Sequence, residues 1–513
     1  MTHRAHPGTS SPLLSRRRGG KSTGPILIAS VHDGLLRSAH HTRSRLNQYC
    51  APATKRPPAL SLAIATLRPM TSTPRVVSLF SGCGGLDLGF LRAGFTLEFA
   101  CDHDPAAVRT YSHNIPHSAE LLDVTAPAFP QRLVEIGSCD VLLGGFPCQG
   151  FSKAGPKNIG DQRNQLYKAM IRALEVVQPA IFVGENVDGI SQNFNGQFLN
   201  QIIKDCTNAG YEVDYQTVDA SWFGVPQHRR RVFIVGLRRD LQLSQGHHIE
   251  WPAISHRPIH RNGERNIHDI YPYWLEQLAE PRTIDDAICH LGPLGHEIPD
   301  HVVGKSWPDS AVAIMKKIGP GQKLCNARHD KTSVRTWDIP EAFGKTSSIE
   351  RSVLETIVRN RRHKMYGSIP NGNPLSLEVI KNLTFNEIDE DFLDDLVARR
   401  FLKRIQDKWD VAGAMFASGI FRRPLPDQPS PTVLTNFENP RYFIHPRENR
   451  PFSVREVAAL QTFPPDFLFL EAGVKPTDAY RLIGNAVPPL LAERIAESVL
   501  ALWLSFATEG AAA

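Results

Sequence analysis

From Arg75 onward, short apolar runs alternate with amphipathic stretches: Val76–Phe80, a glycine-rich turn, Leu86–Ala93, Thr96–Ala100, then later Asp140–Leu143 and Ala180–Val183. This alternation commits the chain to βα repetition and a parallel sheet, because parallel neighbours need a crossover between them. Between Asn164 and Val177 the apolar residues Leu166, Met170, Ala173, Leu174 and Val177 recur at helical spacing, and Pro179 closes the segment. A right-handed crossover through that helix makes the strands on either side of it parallel neighbours, with their carboxyl ends on one edge. Val213–Ala220 and Val232–Leu237 are expected to pair antiparallel through the connection Ser221–Arg230, which carries Arg231 to the same edge. After Gly236 the rhythm stops; Pro, His, Trp and charged residues mix until about Ser430, where a second domain is expected.

A chain of 513 residues has room for two domains and a tail at roughly 150 residues each. Its longest apolar stretches, Pro25–Val31 and Leu60–Leu67, fall well short of the ~20 residues that cross a bilayer, so a soluble protein is expected. The formal charge of +6 is unevenly placed. Residues 1–74 hold eleven Lys or Arg against the single acid Asp33, which leaves the rest of the chain slightly negative. Net charge therefore makes no case for a nucleic-acid partner; local patches must. The first 70 residues read as an extension outside the fold, from an upstream start codon, with a flexible basic arm or an organelle transit peptide as alternatives. The eight cysteines include no CxxC pair, which points away from metal and towards free thiols in a reducing compartment.

Four loops carry groups suited to chemistry. Phe80-Ser-Gly-Cys-Gly-Gly85 follows a strand and opens a helix, so glycine backbone and free N–H groups face a ligand. The third glycine of a dinucleotide fingerprint would stand at Asp87, which disfavours NAD. Asp102, ending the next strand, is placed to accept from a ribose hydroxyl, leaving an adenosine-containing cofactor and a simple tight turn both open. Gly144–Ser152 sets the thiol of Cys148 after a parallel strand, as a nucleophile or as packing. Glu185-Asn186-Val187 ends another strand, where the acid is either functional or a solvated rim residue. Gln227–Arg231 leads into the antiparallel strand, so Cys148, Glu185 and Arg231 are expected to meet. In the second region, Arg359–Lys364 is a concentrated basic run, a solvated helix face or an anion contact.

These loops resemble the ordered motifs of the cytosine carbon-5 DNA methyltransferases of the bacterial restriction-modification type. The matching segments are Ser78–Gly85, Gly144–Ser152 with its Pro147-Cys148 pair, Glu185–Val187, Gln227–Arg231, Arg455–Pro464 and Gly484–Pro489. His228 stands where the family commonly has Lys or Arg. The resemblance implies a Rossmann-like α/β fold that binds S-adenosylmethionine, with a smaller target-recognition domain. The implied division is a disordered basic extension over 1–73, the first part of the catalytic domain over 74–237, target recognition over 238–430, and a return to the catalytic domain over 431–513. The cofactor would contact Phe80, Gly82, Gly84, Gly85, Leu86, Asp102, His103, Asp123 and Val487, with Pro147 lining its pocket and Asn485 bracing the last loop.

The same resemblance assigns the chemistry. Cys148 would add to carbon 6 of a flipped-out cytosine, making carbon 5 nucleophilic. Glu185, with a raised pKa, would protonate ring nitrogen 3, and Arg231 would donate to the carbonyl oxygen at position 2. Arg229 is expected as a supporting phosphate or ring contact, Phe151–Arg163 as a lid, and Thr432-Val433 as a contact to the target strand. Implied partners are double-stranded DNA and a functionally paired restriction endonuclease, with a monomeric chain in the cytoplasm at the nucleoid. An RNA cytosine methyltransferase on the same scaffold would have a shorter spacer between the Gln227 and Arg455 motifs.

Overall fold

The structure is a computed structural model that describes residues 73–147, 166–192, 196–241, 248–258, 277–295, 297–412 and 419–510, with side chains to 505. The basic extension, Cys148 and the expected lid Phe151–Arg163 lie outside the described residues. Seven strands form the central sheet: β1 Arg75–Leu79, β2 Thr96–Asp102, β3 Glu120–Leu121, β4 Val141–Gly144, β5 Ile181–Val187, β6 Tyr211–Asp219 and β7 Arg230–Arg238. Their order is β3-β2-β1-β4-β5-β7-β6. The first five are parallel, and β7 runs antiparallel to both β5 and β6. The chain steps outward in one direction from β1 to β3 and in the other from β4, so a crevice opens between the carboxyl ends of β1 and β4.

Successive strand residues feed two separate cores, the pattern of a sheet buried on both faces. Val76, Val141, Leu143, Ile181 and Val183 enter one core; Val77, Leu142 and Phe182 enter the other. Helices α1 (Gly85–Arg92) and α2 (Pro105–Asn114) cover the first face. Helices α3 (Phe129–Ile136), α4 (Tyr167–Val177) and α5 (Gln197–Asn208) cover the second. The expected helix after Asn164 is α4, and the expected antiparallel pair is β6 with β7.

The intervening region has its own small cores. Helix α6 (Asp309–Lys317) contributes to one, while α7 (Ser348–Asn360), α8 (Leu377–Thr384) and α9 (Glu390–Ala398) build another. The latter three pack with a sheet of β8 Leu375–Ser376, β9 Leu402–Ile405 and β10 Lys408–Val411, in the order β8-β10-β9. Some of the residues expected there pack elsewhere, Ile249 among them. Ile284, Ala287, Ile288 and Leu291 join the core of the first body, because the short helix capped by Thr283 and Asp286 presents one apolar face to it.

After residue 430 the chain returns to that body with α10 (Val454–Leu460), α11 (Pro476–Asn485) and α12 (Pro489–Gly510). Arg455 explains why this return is tight. Its guanidinium is buried against Asp300 at 3.1 Å and also donates to the carbonyls of Pro464 and Phe467. Asp300 in turn accepts from the backbone N–H groups of Phe469 and Leu470. Among the described residues no helix is long and apolar enough to cross a membrane.

Candidate active site

At the end of β1 the chain turns through left-handed positions at Phe80 (φ 56°), Gly82 (+57°) and Gly84 (+91°), the last two of which glycine adopts without strain. Asp102, at the end of β2, holds this turn: one carboxylate oxygen accepts from Gly82 N–H and the other from Asp104 N–H, each at 2.9 Å. A carboxylate has further lone pairs, so Asp102 can still accept from a ligand hydroxyl. His103 lies beside it, exposed, with Nδ1 at 3.3 Å. Asp123 is also exposed; the N–H and hydroxyl of Thr125 hold its pKa below the ordinary value.

Behind the turn lies a residue whose role the sequence did not suggest. Asp87 of α1 is fully buried and accepts from the Ser78 hydroxyl of β1 at 2.7 Å and the Tyr111 hydroxyl of α2 at 2.8 Å. Burial, only partly offset by those two donors, pushes its pKa up to about 6.

The last loop of the family-like motifs closes over the first. A β-carbon on Gly85 would stand 2.3 Å from the Val487 carbonyl oxygen, so the two backbones touch. Leu86 is buried beneath them. Beyond the α-carbon of Gly82 there is open space, with nothing within 4 Å of a β-carbon built there. Asn485, expected as the brace, is exposed instead. The brace is Arg229, which is also where the structure corrects an expectation. Arg229 is 0% exposed and donates to the carbonyls of Val433 at 3.1 Å, Gly484 at 2.8 Å and Ala486 at 2.8 Å. It cannot be a phosphate or ring contact, because its donors point into the protein.

Gln227 and Gln461 complete this buried relay. Gln227 accepts from Val433 N–H at 2.7 Å and donates to the Gln461 side chain at 2.7 Å; Gln461 donates to the Ile483 carbonyl at 2.6 Å. Thr432, expected at the target strand, donates its hydroxyl to the His228 carbonyl at 2.7 Å.

Glu185 and Arg231 meet as expected. Residues Val187 and Arg231 are paired across β5 and β7, so Glu185 is the diagonal neighbour of Arg231 on the same face. Arg231 Nε lies 2.8 Å from Glu185 Oε1, and each side chain is 11% exposed. Burial raises the Glu185 pKa above the ordinary carboxyl range, outweighing the attraction of Arg231 and Arg229. Glycine at 145 brings the two halves of the site together: its β-carbon position lies 3.7 Å from Glu185 Oε2 and 3.8 Å from the Phe80 carbonyl oxygen. Asn186 fixes the neighbouring backbone, donating to the Phe146 carbonyl at 2.9 Å just before Pro147. A carboxyl whose pKa burial raises, a buried cation and a glycine-lined turn therefore share the crevice at the strand switch.

The model of the C-5 cytosine-specific DNA methylases matches residues 74–501. The chain belongs to this family. It is accordingly a methyltransferase enzyme, of the kind that methylates carbon 5 of cytosine in DNA with S-adenosylmethionine. The type II methyltransferase M.AgeI of Thalassovita gelatinovora is 29% identical over 446 residues, covering 83% of this chain and 99% of its own. M.HgiBI of Herpetosiphon aurantiacus is 30% identical over 444 residues, 81% of this chain and 94% of its own. A solved methyltransferase of Entamoeba histolytica aligns with 84% of this chain and 98% of its own at 14% identity and a TM-score of 0.43. The described residues fit the family's cofactor, because the Gly82 turn opens into free space at the N-terminus of α1 with the Asp102 carboxylate beside it.

Proposed function

We propose that this chain methylates carbon 5 of a flipped-out cytosine within a specific duplex DNA sequence, through a transient covalent bond to Cys148. The observation that carries the reading is the buried Glu185–Arg231 pair, separated from the cofactor turn only by Gly145. Phe80, Gly82, Gly84, Gly85, Leu86, Asp102, His103, Asp123, Pro147 and Val487 would hold S-adenosylmethionine, which supplies an electrophilic methyl group. Asn485 joins them only through its backbone neighbours, which Arg229 fixes.

Cytosine carbon 5 is a weak nucleophile. The Cys148 thiolate adds to carbon 6, and the carbon 5–carbon 6 π electrons shift through the ring as nitrogen 3 takes a proton. A carboxyl that keeps its proton at higher pH than usual suits that donation, which is what burial does to Glu185. Arg231 donates to the oxygen at position 2, where negative charge also gathers. Carbon 5 of the resulting enamine would take the methyl group from the bound cofactor, whose sulfonium–methyl bond breaks with its electron pair left on sulfur as the thioether. Loss of the carbon 5 proton to a base then restores the ring double bond and expels the thiolate. A base stacked in a duplex cannot reach such a crevice, so the cytosine must swing out, at a cost of a few kcal/mol.

The names of the type II methyltransferase relatives support a role in restriction-modification; we propose that this chain acts as a monomer on DNA at the nucleoid of the cytoplasm, protecting sites that a paired endonuclease would cut. Duplex oligonucleotides carrying 5-fluorocytosine at the methylated position test the mechanism. Because fluorine cannot leave as a proton does, a covalent protein–DNA adduct should accumulate with cofactor present and vanish in Cys148→Ser. Turnover without any adduct would overturn the covalent route.

A further inference from the structure

The basic run Arg359–Lys364 is divided by the fold. Arg361 turns inward and is buried, its Nε and Nη2 bonded to the two carboxylate oxygens of Asp410 at 2.7 and 2.8 Å. Its remaining nitrogen, Nη1, ties two loops together, donating to the Ala327 carbonyl at 3.1 Å and the Asn371 carbonyl at 2.6 Å. Asn373 closes the second loop on itself: its N–H donates to the Arg361 carbonyl at 2.6 Å, and its side chain accepts from Ile369 N–H at 3.0 Å. Arg335 secures the first loop by donating to the Arg328 carbonyl. A buried ion pair is expensive to desolvate, and this one serves to fix the shape of two surface loops rather than to fill a core.

The loops so fixed present cations and bare apolar side chains. Arg328, Lys331, Arg362 and Lys364 are exposed, and among the described residues none pairs with a carboxylate. Of the nearby acids, Asp410 is paired with Arg361 and Glu355 accepts from Trp337; Asp330, exposed and accepting from Thr332 and Ser333, offsets part of the charge beside Arg362. Partial desolvation of the Arg362 guanidinium, together with repulsion from Arg328 and Arg361, lowers its pKa. In the same loop as Arg362 and Lys364, Met365 is 71% exposed and Ile369 55%. Held like charges call for a polyanion, and large apolar tips among them call for one that also offers apolar groups. Duplex DNA offers both, as phosphates and as thymine methyl groups in the major groove.

Building on the proposed activity, we infer that loops 327–332 and 361–373 form a DNA-docking platform, in which Arg328, Arg362 and Lys364 hold phosphates while Met365 and Ile369 touch base edges. The platform is rigid at its root and adaptable at its tip, since methionine's unbranched chain fits several surfaces.

The test uses the full chain and a duplex containing the sequence methylated in cells that express it, identified by bisulfite sequencing. Arg328→Gln with Arg362→Gln should weaken binding to every duplex alike and reduce the slope of log affinity against log salt by about 2, at ~0.9 for each phosphate no longer neutralised. Met365→Ala with Ile369→Ala should leave that slope unchanged and lower the preference for the target over singly substituted sites by roughly five- to tenfold. All four side chains are exposed, and unchanged thermal midpoints would confirm folded variants. Wild-type methyl transfer to DNA, with both double variants keeping the original salt slope and site choice, would overturn the platform alone. Absence of methyl transfer by the wild type would instead sink the catalytic reading.

Discussion

Asp87 shows how much one buried carboxyl can organise. Its two oxygens join β1 through Ser78 and α2 through Tyr111, while its own helix carries the glycine turn, so it sets the geometry of the cofactor loop without touching it. Its pKa of about 6 lies above the unfolded value, so its stabilising contribution is full below roughly pH 4 and is lost as pH rises through 6. Wild-type stability relative to Asp87→Asn should therefore increase by about 1 to 1.5 kcal/mol between pH 7.5 and pH 5, measured by denaturant unfolding. Glu185 follows the same sign for a different purpose. Since burial lets it keep its proton to higher pH than a free glutamate, activity should decline on the alkaline side as it ionises. Glu185→Gln should lose about 10²- to 10⁴-fold in kcat and with it that alkaline limb, while cofactor binding followed by calorimetry stays close to wild type.

Pairs of elements decide whether the cofactor loops can close. Helices α1 and α12 cross with almost no gap: a β-carbon on Gly89 would lie 2.4 Å from Ala492 Cβ and 2.5 Å from Glu493 N. Alanine is the better helix former by about 1 kcal/mol, yet here backbone stands in its way, so the clash decides the sign. Gly89→Ala should destabilise by about 1 to 3 kcal/mol, visible as a lower thermal midpoint. Arg229 joins three further segments: the start of β7, the Thr432-Val433 stretch that re-enters from the inserted region, and the turn after α11. Arg229→Lys cannot reach three carbonyls with one ammonium, so the KM for S-adenosylmethionine should rise several-fold. The salt dependence of DNA binding should not move; a slope reduced by about 1 would instead make Arg229 a phosphate contact.

Across the whole molecule, the cofactor crevice is assembled from chain ends of the same body: Cys83 in the first turn lies against the Leu482 carbonyl, 399 residues away in sequence. Among the described residues between β7 and residue 430, Ile249, the short helix at Ile284 and Asp300 stay on the first body, while α6 to α9 and their small sheet build separate cores. Ligand binding at a seam between distant segments should stabilise the whole fold by mass action. At a hundredfold excess over Kd, S-adenosylmethionine should add about 2.7 kcal/mol, read as a raised thermal midpoint. Gly85→Ala, whose β-carbon meets the Val487 carbonyl, should abolish that increment.

The βα alternation, the strand ends and the antiparallel return of β7 were legible from the chain alone, because short-period patterns of apolar residues report local geometry directly. The meeting of Glu185 with Arg231 followed from them, since register carries side chains to a predictable edge. What no local pattern carries is the choice among residues of equal periodicity. Arg229 and Arg231 have the same parity, yet one faces the site and the other is sealed by carbonyls that arrive from 255 and 257 positions away. Likewise, within Arg359–Lys364 only the position of Asp410 turns Arg361 inward and leaves Arg362 on the surface. Sequence determined the family, the sheet and the chemical groups. Tertiary structure alone decided which charged side chains are buried braces and which are free to bind, because burial depends on partners that only folding brings near.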